Sequence, residues 1–189
     1  PRDGFRLPRL HSLPVKSEIR DGPGETEKML CALATSVKGQ VRPDPASALE
    51  ALSASMSSAY SDSVYTPSMC IDGVTANPSP SNLNVCLSSV NQRNPWLSVA
   101  IPDGSVVSEV VVYGRSDCCN RRFLGSFEVY VMTPGGEELC GRGEALDNVA
   151  SVHTISCGGR VASAVTLRLP GAARTIMIAE LVVRGFVAA

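Results

Sequence analysis

The residues best suited to chemistry lie in one short stretch, Arg115-Ser116-Asp117-Cys118-Cys119-Asn120-Arg121-Arg122. An arginine side chain donates hydrogen bonds in a planar fork, which suits neighbouring oxygen atoms on a ligand. The carboxylate of Asp117 can hold the guanidinium groups of Arg115 and Arg122 in place and offset their charge. The stretch therefore predicts a site for a ligand rich in hydroxyl groups. The alternative is a solvent-exposed salt-bridge cluster that contributes little energy.

The adjacent cysteines, Cys118 and Cys119, add a second property to this stretch. A disulfide between neighbours closes a small ring and forces an unusual turn, and such strain persists where it shapes a site. The flat disulfide would offer an apolar patch to one face of a ligand. The alternative is two separate cysteines, one buried and one paired elsewhere.

Two apolar runs, residues 110–113 and 127–132, flank the stretch and place it in a loop between two strands. Similar short runs rich in Val, Ile and Thr recur along the second half of the chain, separated by Gly, Pro, Asp and Asn. They occupy residues 106–113, 127–132, 153–156, 164–169 and 175–183. This pattern predicts an all-β, antiparallel β-sandwich, and the lack of strand–helix alternation argues against a parallel α/β sheet.

The remaining segments carry weaker patterns. Residues 1–28 are rich in arginine and proline without any helical or strand period, which predicts an irregular N-terminal extension before a domain of residues 29–189. Residues 43–56 predict a short helix or turn, and residues 53–66 a serine-rich loop. Asp103-Gly104 predicts another turn.

Composition narrows the class of protein. The chain has 189 residues and a formal net charge of -1, which gives no reason to expect nucleic acid or an anionic membrane surface as a partner. No apolar run is long enough for a transmembrane segment. The 7 cysteines lack zinc-ligand spacing and favour a secreted, cell-surface or other oxidising location. No catalytic signature stands out, so the sequence predicts a protein that is not an enzyme.

Three motifs, taken together, carry a family resemblance. Ile71-Asp72-Gly73, then Asn94-Pro95-Trp96, then the stretch from Arg115 to Arg122 resemble, in order and spacing, the F-type lectin (fucolectin) family. The resemblance extends over most of the chain, from about residue 29 to residue 185. It implies a jelly-roll β-sandwich of the galactose-binding-like type, related to discoidin domains, and binding of L-fucose in fucosylated glycans.

The resemblance also implies a role for each site residue. Arg115 and Arg122 would donate to the ring oxygen and hydroxyls of fucose, and Asp117 would brace them. The disulfide Cys118–Cys119 would touch the sugar. Ser88 stands where the family has a histidine as its third polar ligand.

A structural calcium ion is a further implication of the resemblance. Asp72 and Glu180 match the family's acidic ligands. Backbone carbonyls can supply several of the oxygens that calcium needs. The remaining candidate positions for the metal carry apolar side chains: Met69, Val74, Val85 and Ala179.

The resemblance guides the other cysteine pairs as well. Cys140 and Cys157 match a pair that bridges two late strands in the family. Cys86 matches a cysteine whose usual partner position is occupied here by Ala179, so Cys70 is the expected substitute. Cys31 then remains as the odd thiol.

Two functional hypotheses follow from these observations. The first is a calcium-stabilised lectin that binds fucosylated glycans reversibly. The second is a structural or assembly subunit that keeps the lectin fold with a degraded sugar site and docks to other subunits through residues 1–28. The replacement of histidine by Ser88 motivates the second hypothesis.

Overall fold

The computed structural model of the chain describes residues 47–61, 63–76, 84–147 and 151–188. The predicted N-terminal extension, its boundary at residue 29 and Cys31 lie outside these residues. Within the described part of the chain, no helix is both long and apolar enough to cross a membrane.

The described residues form short and long strands with very little helix. In chain order the elements are β1 (Ser53–Met56), a 3-10 helix (Pro67–Cys70), β2 (Cys86–Leu87), β3 (Trp96–Tyr113), α1 (Asn120–Phe123), β4 (Ser126–Thr133), β5 (Gly136–Glu144), β6 (Val152–Arg168), β7 (Met177–Ile178) and β8 (Glu180–Val187). All strand pairings are antiparallel. The all-β, antiparallel sandwich expected from the sequence is confirmed.

Two long strands, β3 and β6, form the centre of the sheet. They pair with each other along almost their whole length, with register shifts between Ala100 and Ser105 and between Val107 and Glu109. The sheet order is β1-β3-β6-β4-β5, and β8 pairs with the second half of β3. Bulges bend a strand and increase its twist, so both long strands can curve around one core. A separate two-stranded sheet joins β2 to β7.

The core is built from the alternating residues of these strands. Leu97, Val99, Val110, Val112 and Phe127 have no more than 1% of their surface exposed. Burying a side chain of this size contributes about 1.5–3 kcal/mol relative to leaving it exposed. The apolar face of β3 therefore anchors the strand and fixes the position of the loop that follows Tyr113.

The prediction of a helix, turn or loop at residues 53–56 is wrong, because Ser53–Met56 forms the strand β1. It pairs with β3 from Ser53↔Ala100 to Met56↔Leu97, and its side chains alternate between exposed and half-buried. Serine and alanine have low strand propensity, but pairing with a strand already in place overrides a local preference.

The prediction that Asp103-Gly104 forms a chain-reversing turn is also wrong. Both residues lie within β3, at the register shift between Ala100 and Ser105. Gly104 has φ of +76°, a backbone conformation that glycine adopts at little cost. The dipeptide therefore produces a bulge in a continuous strand.

Candidate functional site

The loop between β3 and β4 is tied to its surroundings by backbone hydrogen bonds. The N–H of Gly114 donates to the carbonyl of Ser151 at 2.7 Å. The carbonyl of Cys119 accepts from the N–H groups of Arg122 and Phe123, both at 3.1 Å, which closes the single turn of α1. The loop thus leaves the sheet in a fixed direction and returns to it through a tight turn.

Arg115 and Asp117 form a two-pronged ion pair at the centre of this loop. Arg115 Nε lies 2.9 Å from Asp117 Oδ1, and Nη2 lies 2.6 Å from Oδ2. Nη1 of the same guanidinium donates to Met177 Sδ at 3.1 Å. Only 9% of the surface of Arg115 is exposed, so most of its side chain lies below the surface. A bidentate pair holds the plane of the guanidinium in one orientation and places a carboxylate charge against it.

The pKa of Asp117 is lowered to about 2 from its ordinary value of 3.8, chiefly by the hydrogen bond from Arg115, with burial opposing the shift. Asp117 is therefore fully ionised at neutral pH.

This shift predicts a pH dependence for the loop. A carboxylate with a lowered folded-state pKa stabilises the folded loop above about pH 4, and that stabilisation is lost as the pH falls toward about 2. We expect the side-chain NMR signal of Arg115 Nε–H to change with a midpoint near pH 2. In Asp117→Asn the transition should vanish, whereas a wild-type midpoint near 3.8 would contradict the pairing.

The aromatic ring of Phe123 lies close to both arginines of the predicted site. The guanidinium carbon of Arg115 lies 5.5 Å from the ring centroid, and that of Arg122 lies 5.2 Å from it. Cations over an aromatic face are attracted to it by about 0.5–2 kcal/mol. The ring therefore helps to hold two like charges near each other, with Arg122 exposed and Arg115 buried.

A disulfide joins Cys118 to Cys119, whose Cα atoms are 3.8 Å apart. Cys119 has φ of +67°, a left-handed conformation that costs energy for a residue with a side chain. Cys118 is exposed and Cys119 is half-buried. The disulfide thus lies at least partly at the surface, directly after the Arg115–Asp117 pair.

Asn120 supports the loop from beneath. It is 5% exposed, and its Nδ2 donates to the carbonyl of Arg115 at 2.7 Å. Its Oδ1 has no hydrogen-bond partner among the described residues. The site therefore rests on a buried amide that the sequence did not distinguish from an ordinary loop residue.

Close packing under the loop makes Gly114 sensitive to substitution. A Cβ added there would lie 2.5 Å from Asn120 Oδ1 and 2.7 Å from Ser151 Cβ. We expect Gly114→Ala to lower the free energy of unfolding by about 1–3 kcal/mol through overpacking.

Gly135→Ala is the matched control, because the nearest atom to an added Cβ there is 3.6 Å away. Urea unfolding of both variants measures the difference. Equal stability of the two variants would show that the space beneath Arg115 is not filled.

The expectation that Ser88 is a sugar ligand is wrong in this structure. Ser88 has 0% exposed surface. Its hydroxyl accepts from the N–H of Ile176 at 2.9 Å and donates to the carbonyl of Ser89 at 3.1 Å. The hydroxyl of Ser88 is thus already used both as a hydrogen-bond donor and as an acceptor. It connects the end of β2 to the segment before β7 and does not line the site.

The two acidic residues predicted to bind calcium come together at the start of β8. Oε2 of Glu180 accepts a hydrogen bond from the N–H of Gly73 at 3.2 Å, and Oδ1 of Asp72 accepts from Val74 N–H at 2.9 Å. Glu180 is 4% exposed. Burial, opposed by the hydrogen bond from Gly73 and assisted by the neighbouring Asp72 carboxylate, raises the pKa of Glu180 to about 7. The pair holds negative charge that a divalent cation would neutralise.

The apolar members of the predicted metal set have little side-chain chemistry to offer. Val85 and Ala179 are fully buried, Met69 packs against the core, and Val74 is exposed. Only their backbone carbonyls are suitable as ligands. Within the described ranges, no three acidic, histidine or cysteine side chains cluster in a metal-binding arrangement.

Two further disulfides lie in the described part of the chain, and they join the expected pairs. Cys70 is bonded to Cys86, with Cα atoms 5.3 Å apart, and Cys140 is bonded to Cys157, with Cα atoms 4.6 Å apart. The first links the 3-10 helix before Asp72 to β2, and the second links β5 to β6.

Besides Asn120, two structural contributors to the site were missed by sequence reasoning. Met177 contacts Arg115 from β7, more than sixty positions along the chain. Arg174 donates through Nη2 to the carbonyls of Leu124 and Ser126, each at 2.8 Å, and so fixes the end of the loop. No local pattern marks either residue, because each acts through contacts that exist only after folding.

Comparisons with known proteins rest on structure. No protein-family model matches the sequence, and no curated protein matches it. A fucolectin from striped bass (Morone saxatilis) serum is 26% identical, with a TM-score of 0.61, and the match covers 70% of this chain and 46% of that one. The chain thus spans about half the length of that protein.

Two further solved structures share the fold. The lectin domain of lectinolysin, complexed with Lewis B antigen, is 21% identical with a TM-score of 0.59, and the match covers 72% of this chain and 93% of that one. A Streptococcus pneumoniae fucose-binding module is 18% identical with a TM-score of 0.58, over 70% and 89% of the two chains. The motifs and the architecture agree, and the chain has the galactose-binding-like β-sandwich fold of the F-type lectins.

Proposed function

We propose that the loop of residues 115–122 binds L-fucose at the end of fucosylated glycans, reversibly and without catalysis. One observation carries the proposal: the bidentate Arg115–Asp117 pair, the exposed Arg122 and the disulfide Cys118–Cys119 occupy a single supported loop. The similar solved structures include proteins described as a fucolectin and a fucose-binding module.

The chemistry of each group suits a sugar. The rim of the Arg115 guanidinium and the exposed guanidinium of Arg122 donate to hydroxyl and ring oxygens. Hydrogen bonds that involve a charged group contribute about 1.5–3 kcal/mol each. The exposed sulfur surface at Cys118 packs against the apolar C–H face of the pyranose. Since Asp117 already orders Arg115, little side-chain entropy is lost on binding.

The proposal includes a calcium ion held by Asp72 and Glu180. Two converging carboxylates, one of them buried, fit a hard divalent cation that prefers oxygen ligands. The carbonyls of Met69, Val74, Val85 and Ala179 are the candidate remaining ligands. The ion would fix the loop after the 3-10 helix against β8 and so support the sandwich.

The location that suits this function is extracellular or another oxidising compartment. Disulfides persist outside the reducing cytosol, and three of them lie in the described residues. One of the similar structures is a serum protein.

A second function, a structural or assembly subunit, is favoured by one observation. Ser88 occupies the position of the family's third sugar ligand, and its hydroxyl is buried and already hydrogen-bonded. A site with one polar ligand residue fewer would bind fucose weakly. The fold could then serve for docking to other subunits through residues 1–28.

A glycan array probed with the purified chain in calcium distinguishes the two functions. The lectin proposal expects signals on fucosylated glycans and none on their defucosylated counterparts. A blank array would overturn it. The assembly proposal expects a blank array. It also expects the measured mass of the native complex to be larger than that of one chain.

A further inference from the structure

An aromatic pair, Tyr60 and Tyr65, lies in the segment that is hydrogen-bonded to β2. The two rings are arranged edge to face, with centroids 6.1 Å apart and planes at 61°. Tyr60 is 58% exposed, whereas Tyr65 is half-buried. Tyr65 thus supports an outer ring that presents most of its surface to solvent.

Backbone hydrogen bonds fix this pair to β2. The N–H of Tyr60 donates to the carbonyl of Leu87 at 2.9 Å, and the N–H of Leu87 donates to the carbonyl of Tyr65 at 3.3 Å. Leu87 pairs directly with Met177, whose sulfur contacts Arg115. The tyrosines are therefore connected to the buried arginine of the site through one pair of strand residues.

A shared apolar cluster places Tyr65 next to the other ring of the site. Tyr65 and Phe123 both pack against the small core formed by Val85, Leu87, Met177 and Ala179. Phe123 in turn lies beneath the guanidinium groups of Arg115 and Arg122. Tyr65 and the ring beneath the two arginines thus rest on the same four buried residues.

The same segment is also hydrogen-bonded to Ser89, the residue after Ser88. Ser58 Oγ accepts from the N–H of Ser89 at 3.0 Å, and the carbonyl of Ala59 accepts from Ser89 Oγ at 3.2 Å. The segment before the two tyrosines is thus hydrogen-bonded to the residue that follows the buried Ser88.

We propose that Tyr60 and Tyr65 form a second subsite, which takes the pyranose ring linked to the terminal fucose. The proposal rests on the fucose site proposed above. The electron-rich face of an aromatic ring attracts the C–H bonds on the apolar face of a sugar, and a tyrosine hydroxyl can bond a sugar hydroxyl. The preferred ligand is therefore an oligosaccharide with a fucose end, rather than free fucose.

Calorimetric titration with L-fucose and with a fucosyl-galactose disaccharide tests the subsite. Wild type should bind the disaccharide about three- to tenfold more tightly than fucose, the range expected from one aromatic contact. Tyr60→Ala should lose this preference while its affinity for fucose stays the same. Val64→Ala is the matched control, since Val64 is 53% exposed on the same segment, and it should behave as wild type.

The outcomes separate this inference from the function on which it rests. Equal affinity of wild type for both sugars, or a Tyr60→Ala variant that keeps the preference, would overturn the subsite and leave the fucose site standing. A wild type that binds neither sugar would overturn both proposals. Arg122→Ala serves as the internal reference, because it should weaken both ligands by the same factor.

Discussion

Arg122→Ala is expected to weaken binding of fucosylated glycans by about 10- to 100-fold, the equivalent of one charge-assisted hydrogen bond. Arg122 is the exposed guanidinium of the site, and Phe123 holds it near the buried Arg115. Its loss removes donors without leaving a buried charge unpaired. The stability of the fold should therefore be nearly unchanged, so that the effect is confined to affinity.

Arg121→Ala is the control for this variant, because it removes the same charge one position away. The backbone N–H of Arg121 donates a hydrogen bond to Asp147 Oδ1 at 3.1 Å, and this bond remains in the variant. Calorimetric titration with a fucosylated oligosaccharide should give wild-type affinity for Arg121→Ala. Equal losses in the two variants would indicate a general electrostatic effect and would contradict a specific role for Arg122.

Calcium is expected to raise the melting temperature of wild type by about 5–10 °C when its concentration is about 100 times the dissociation constant. Binding to the folded state alone then stabilises it by about 2.7 kcal/mol, and in a chain of this size each kcal/mol corresponds to about 2–4 °C. The physical source is neutralisation of the Asp72–Glu180 pair, in which burial raises the pKa of Glu180 to about 7.

Differential scanning calorimetry with calcium and with a chelator measures this effect. Glu180→Gln should abolish the response to calcium, because it removes a charged ligand of the ion. Glu144→Gln removes an exposed carboxylate from β5 and should respond as wild type. Identical melting temperatures of wild type in calcium and in chelator would show that the acidic pair binds no calcium.

The fold was largely predictable because its strands carry their own pattern. Leu97, Val99, Phe127 and Val129 alternate with more exposed neighbours, and this period-two pattern survives into the structure. The strand Ser53–Met56 was not predictable, because nothing in its serine and alanine residues favours a strand. It forms because β3 offers a free edge.

The site was predictable only where it is contiguous in sequence. Arg115, Asp117 and Arg122 lie within eight residues, so their proximity followed from the loop. The contacts with Met177 and Arg174 depend on how β7 and its preceding segment return to the loop, which no local signal encodes. The burial of Ser88 was missed for the same reason: its hydroxyl bonds to Ile176, which is distant in sequence.

The most direct measurement of the central claim is an NMR titration of isotope-labelled protein with L-fucose in calcium, with the arginine side-chain signals resolved. The account predicts that the Nε–H signals of Arg115 and Arg122 and the amides of Cys118 and Cys119 shift together and saturate with one affinity. An absence of shifts in these signals at millimolar fucose, or shifts confined to another face of the sandwich, would contradict the assignment of this loop as a sugar site.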